Sequence, residues 1–149
     1  TEARGELLLG AAFAGTAIEH SMLGAAHSAA NPLTAHYDVI HGQAVGMLLP
    51  HVVRFNGEED AIAKIYANLI EAGNVPSSNG ADSPELLAEY LEALLDAAGL
   101  SRSLVSFGVE EAKLEMLSDE AASQWTASFN PRDITASDFF SLYQETLAA

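Results

Sequence analysis

GAAHSAANPLTAHYDVIHGQAVGMLLPHVVRFN, residues 24–56, carries four of the five histidines of the chain: His27, His36, His41 and His51. The stretch is rich in alanine, the best helix former, and poor in strand signals. Ala25–Ala30 reads as helix, and Asn31-Pro32 is expected to break it, because the residue before proline is pushed out of the α region. His41-Gly42 opens a second apolar helix running to about Phe55. Pro50 is expected to kink that helix, and Asn56-Gly57 to stop it. The fifth histidine, His20, lies just upstream, and the last two-thirds of the chain has none. Such clustering invites a metal, since neutral imidazole is a common ligand. Spacing alone leaves two readings open. His27 and His41 are either ligands brought together by helices that fold back on each other, or ordinary core and surface side chains.

Working outward, residues 2–23 read as one long helix with Leu8, Ala11, Ala12, Gly15, Ile18 and Met22 at helical spacing. Its small residues predict a buried helix packed on several sides, ending or bending at Gly24. Downstream, Glu58–Ala72 presents Ile62, Ile65, Tyr66 and Leu69 on one face, and a loop is expected over 73–82. Ser83 as cap and Pro84 as first helical residue start a helix with a Leu87, Leu91, Leu94, Leu95 stripe that Gly99 ends. A helix containing Leu114 and Leu117 follows, with Ser118–Gln124 helical too. Phe129–Arg132 is extended. Thr135-x-x-Asp138 is a capping-box pattern before a final helix with Phe139, Leu142, Tyr143 and Leu147 inward. The fold class is therefore all-α, a helical bundle, and 1–149 reads as one domain.

Composition narrows the function classes. About half of the residues (49%) are hydrophobic, enough for a real core. With no cysteine, disulfides, thiolate metal sites and thiol catalysis are excluded. A formal charge of -15 argues against nucleic acid and anionic lipid as partners, and reads first as a solvated, salt-tolerant surface. No apolar run approaches the roughly 20 residues of a membrane span, and no signal-peptide pattern precedes the first helix. The chain starts at Thr1 rather than Met, and the expectation is that it is processed or cut from something longer. There is no G-x-G-x-x-G after a strand, no G-x-x-x-x-G-K-[ST], no G-x-S-x-G and no H-E-x-x-H. By itself the chain has nothing to cradle a dinucleotide.

The 24–56 window resembles the signature of the iron-type, or group III, alcohol dehydrogenases: a glycine, two residues and a histidine, then Pro-Leu, then His-Gly, then Leu-Leu-Pro. Ala14-Gly15-x-Ala17 with Leu23-Gly24 fits the same family, as does F-N-P-R-x-x-T-x-x-D at 129–138. The resemblance covers essentially the whole chain. It implies the family's helical C-terminal domain, of dehydroquinate synthase-like fold, without the N-terminal nucleotide-binding domain that holds NAD(P). It also implies a divalent metal, iron or zinc, bound by one aspartate and three histidines, with His27 and His41 as the metal ligands present here. The other two ligands belong to an earlier D-x-x-x-H stretch that this sequence lacks. No catalytic or cofactor-binding residue is carried over. Where several members have a further histidine, four residues after the first ligand, this chain has Asn31. Asparagine can hydrogen-bond but cannot relay a proton.

The implied activity is hydride transfer between a small alcohol or aldehyde and NAD(P), in a cytoplasmic homo-oligomer, with the isolated chain inactive. His20, His36 and His51 are expected to be packing, cleft-mouth or surface residues. Relatives such as maleylacetate reductases work without metal. Two other readings remain: a stand-alone helical binding or structural module, and the helical half of a split enzyme.

Overall fold

The computed structural model describes residues 1–76 and 82–149. Among these there are seven α-helices, three 3-10 segments and no strand, so the all-α expectation holds. The helices are α1 (Glu2–Ser21), α2 (Ala25–Tyr37), α3 (His41–Gly57), α4 (Asp60–Ala72), α5 (Ser83–Ala97), α6 (Leu114–Ser123) and α7 (Ala136–Ala148). The 3-10 segments are Leu104–Phe107, Glu111–Lys113 and Trp125–Phe129. No single described helix is long and apolar enough to cross a membrane.

The core forms where α2, α3, α6 and α7 meet. Leu33, Met47, Leu48, Leu114, Leu117, Phe139 and Tyr143 are buried together there, with Leu104 and Val109 closing one side. Each large apolar side chain so buried contributes on the order of 1.5–3 kcal/mol. A second cluster joins α3 to α5 through Val53, Leu87 and Ala88, with Tyr66 and Ile70 of α4 against it. There α5 comes so close that a Cβ on Gly57 would sit 2.3 Å from Cβ of Pro84. The final helix follows its sequence pattern. Thr135 and Asp138 form a reciprocal capping box, which satisfies two otherwise orphaned N–H groups. Phe139, Leu142 and Tyr143 then point inward.

Several sequence expectations need correction. Asn31-Pro32 does not end a helix: α2 runs through it to Tyr37. Proline deletes one backbone bond, yet Pro32 is fully buried and three side-chain bonds to other elements hold the surrounding turn. Tertiary packing overrides local preference here. Pro50 lies buried inside α3, which continues through it to Gly57. The cap of α5 is Asp82, whose side chain accepts from the Glu85 N–H at 3.1 Å, which puts Ser83 and Pro84 in the first turn. Inward faces also shift. In α4 they are Ile62, Tyr66 and Ile70, with Ile65 and Leu69 outside. In α5 Leu86, Leu87, Ala88 and Leu95 are buried, while Leu94 is exposed. Of the loop expected at 73–82, residues 73–76 and 82 lie outside any helix as expected, and 77–81 fall outside the described residues.

The largest correction concerns α1. Met22, at φ 66°, leads into Gly24, and the axis turns by 106° between α1 and α2. None of the 20 residues of α1 is buried. The helix that its sequence marks as a core element has no core around it within this chain.

Candidate metal centre

His27 sits in the first turn of α2, and His41 is the first residue of α3. Fourteen positions apart in sequence, their imidazole rings stand with centroids 5.3 Å apart and planes inclined at 49°. Two imidazoles sharing one tetrahedral ion, with metal–nitrogen bonds of about 2.0–2.1 Å, would place their centroids about 5 Å apart. Burial pushes the pKa of His27 down, and the neighbouring His41 pushes it the same way. Both effects favour the neutral ring, the form that offers a lone pair to a cation.

A set of polar contacts fixes α2 against its neighbours beside this pair. Asn130 Oδ1 accepts from the Ala25 N–H (3.3 Å), one of the orphan donors of the first turn of α2, and from Asn56 Nδ2 (3.2 Å). Its Nδ2 donates to Asn56 Oδ1 (2.7 Å) and to the Arg132 carbonyl (2.7 Å). All four hydrogen-bonding positions of one amide are thus used, and they tie the start of α2 to the end of α3. Arg132 closes the same joint. It donates to the Phe55 carbonyl, pairs with Glu58 at 2.6 Å, and lies 4.0 Å over the Phe55 ring.

Further along α2, the Ser28 and Thr126 hydroxyls share a buried bond of 2.7 Å. The Tyr143 hydroxyl donates to the Ala29 carbonyl at 2.6 Å, and burial raises that phenol's pKa far above its ordinary value. Asn31 Nδ2 donates to Gln124 Oε1 at 3.1 Å. The 124–132 segment therefore runs along α2 as a series of pegs. The F-N-P-R motif marked part of it in the sequence. Nothing in the sequence marked Gln124 or Thr126, and the polar partners of Asn56 and Tyr143 were not foreseen.

The other histidines do not join the pair. His36 faces Glu120 at 2.8 Å on the exposed side of the bundle. A ring nitrogen of the exposed His20 lies 2.8 Å from the Thr16 carbonyl. His51, largely buried, meets Glu145 at 3.1 Å. Burial lowers its pKa, Glu145 opposes that shift, and Arg54 adds to it. Among the described residues no group of three or more His, Asp or Glu could hold a metal. The chemistry of the donor set thus fits two positions of a four-coordinate site.

An indentation of about 350 Å³ beside His51, Arg54, Arg132 and Glu145 includes neither His27 nor His41. Its arginines are already engaged. Arg54 grips Glu85 with two bonds of 2.8 and 2.7 Å and reaches Glu92 at 2.5 Å. The opposite oxygen of Glu92 takes Arg102 at 2.7 Å. This is a brace between α3 and α5, and it leaves no free cation for an anionic ligand.

Comparison with known proteins points one way. Residues 1–147 match the model of the Fe-containing alcohol dehydrogenase family, C-terminal part. Lactaldehyde reductase of Escherichia coli (strain K12) is 30% identical over 143 residues, which is 93% of this chain and 36% of that protein. 1,3-Propanediol dehydrogenase of Citrobacter freundii is 31% identical over 133 residues, 88% of this chain and 34% of that one. The solved structure of an alcohol dehydrogenase from Oenococcus oeni superposes with a TM-score of 0.80 at 26% identity, covering 89% of this chain and 35% of its own. The chain spans about a third of the length of these relatives.

Proposed function

The chain belongs to the Fe-containing alcohol dehydrogenase family, whose C-terminal part it matches almost end to end, and on that premise we propose that it is the helical, metal-holding part of an NAD(P)-dependent alcohol dehydrogenase. The observation that carries this reading is the His27–His41 pair, brought to 5.3 Å from two different helices. A divalent ion held there would supply Lewis-acid stabilisation of an alcohol oxygen as hydride leaves for the nicotinamide.

The residues of this chain prepare that chemistry. Burial, and then the neighbouring His41, favour the neutral form of His27. The Asn130 amide and the Ser28–Thr126 bond hold the helix that presents it. Asn31 follows one turn later on the same side of α2, and its amide nitrogen is committed to Gln124, so it hydrogen-bonds without passing a proton. Two imidazoles fill half of a tetrahedral shell, so the remaining ligands and the nicotinamide site come from the stretch that corresponds to the rest of the relatives' length. The substrate class is a small alcohol or aldehyde, and the setting is the cytoplasm.

Co2+ titration of the 149-residue chain, followed by its visible absorption, tests the site. Weak binding is expected, with His27→Ala and His41→Ala each reducing it by more than about tenfold. Binding indifferent to both substitutions overturns the ligand assignment. The isolated chain is expected to show no NAD(P)H turnover, whereas the product of the whole gene turns over a short primary alcohol and loses that activity with either substitution.

A further inference from the structure

Residues 7–18 of α1 read LLLGAAFAGTAI. The only polar side chain in that run, Thr16, turns its hydroxyl back to the Ala12 carbonyl at 3.1 Å. At about 100° per residue, Leu7, Leu8 and Leu9 point in three directions, and Phe13 lies between them on the far side. All four are well exposed, Leu7 by 74% and Phe13 by 66%. Leu7, Gly10, Ala11 and Ala14 also border a shallow groove, and a Cβ added at Gly5, Gly10 or Gly15 would meet nothing within 4 Å. A helix apolar around its whole circumference is a core helix.

Three covers are conceivable, and the residues choose among them. Lipid does not fit: the 12 residues between Glu6 and Glu19 span about 18 Å, well short of a hydrocarbon layer of about 30 Å. A second copy of α1 would cover one side and leave the opposite side wet. The cover must approach from at least two sides, closely over the glycines. Its rim should be basic, since the apolar run is flanked by Glu2, Glu6 and Glu19 with Arg4 as the only cation. The relatives carry nearly two-thirds of their length beyond what this chain matches.

We infer that α1 is the docking surface on which that remaining part of the enzyme assembles, wrapping α1 with apolar helices whose edges are basic. This rests on the dehydrogenase reading. It also gives the incoming part an address, because α1 leads through Met22–Gly24 directly into the turn that holds His27.

The chain contains no cysteine, so Phe13→Cys introduces a unique reporter. Maleimide labelling of that thiol is measured by peptide mass in the 149-residue chain and in the whole gene product. Labelling at least about a hundredfold slower in the whole product is expected, with matching hydrogen-exchange protection of residues 7–18 in the unsubstituted proteins. Equal labelling and exchange in both overturns the inference. A gene product no longer than this chain overturns it too, as does protection that develops in this chain alone as its concentration rises. Protection without NAD(P)-linked turnover leaves the docking surface standing and removes the dehydrogenase reading. Turnover with an unprotected α1 does the reverse.

Discussion

α1 and α2 are consecutive, alanine-rich and similar in apolar content, yet one is exposed throughout and the other is packed into the centre of the molecule. Their polar side chains tell them apart. In α1, Thr16 and Ser21 both bond back to carbonyls one turn earlier on the same helix. In α2, Ser28 and Asn31 reach other elements, and Tyr143 and Asn130 reach in from α7 and the preceding segment. Apolar content makes a helix want a core. Polar pegs from outside decide whether this chain supplies one.

Trimming a leucine from each helix should separate the two most clearly. Leu33→Ala in α2 removes a fully buried side chain and should cost about 3 kcal/mol in urea denaturation of the 149-residue chain. Leu8→Ala in α1 should stay within about 0.5 kcal/mol. Comparable losses would mean that α1 packs onto the chain after all.

The pegs come next in size. Asn130→Ala strands the Ala25 N–H and the Asn56 amide, at a cost of about 2 kcal/mol. Thr16→Ala, which deletes only a bond back to its own helix, should be close to neutral in the same assay. If both substitutions are silent, the distinction drawn between pegs and back-bonds fails.

The smallest effect is on pH dependence. The folded pKa of His51 lies below its ordinary 6.5, so the unfolded chain takes up the proton first as pH falls. The stability that depends on neutral His51 is therefore complete above about 6.5 and drains away as pH drops below it toward the lowered folded value. Glu85, held below its ordinary 4.5 by Arg54, adds a second decline that begins only at about that lower pH. His27, whose pKa is lowered in the same direction, shares the first decline, so His51→Gln should make it shallower and leave the second. An unchanged curve would place the acid sensitivity elsewhere.

What the sequence revealed follows from how local each signal is. The Thr135–Asp138 box and the Phe139, Leu142, Tyr143 stripe are written within a few residues, and both appear as expected. The faces of α4 and α5 were misjudged by a residue, because a stripe of leucine and isoleucine is wide enough to admit two centres and only the neighbour selects one. α2 continues through Pro32 because bonds from residues more than 90 positions away hold it. Nothing periodic announces such bonds. At the candidate site, the histidine pair was legible only through a family resemblance, since no local geometry joins positions 27 and 41. The Asn130–Asn56 amide pair, 74 residues apart, was not legible at all.

That amide pair also bears on how the protein ages. Asn56 precedes Gly57, the neighbour whose backbone nitrogen most readily attacks an asparagine side chain and releases ammonia. The glycine cannot be exchanged for a safer residue, because Pro84 occupies the space where any Cβ would go. Protection falls to the helix, which holds that nitrogen away from the side chain, and to Asn130, which pins the amide in place. Chemical decay at this joint would therefore wait on its opening. Once it occurred it would leave the joint loosened, since the new carboxylate can no longer donate the hydrogen bond to Asn130 that helped to keep the joint shut.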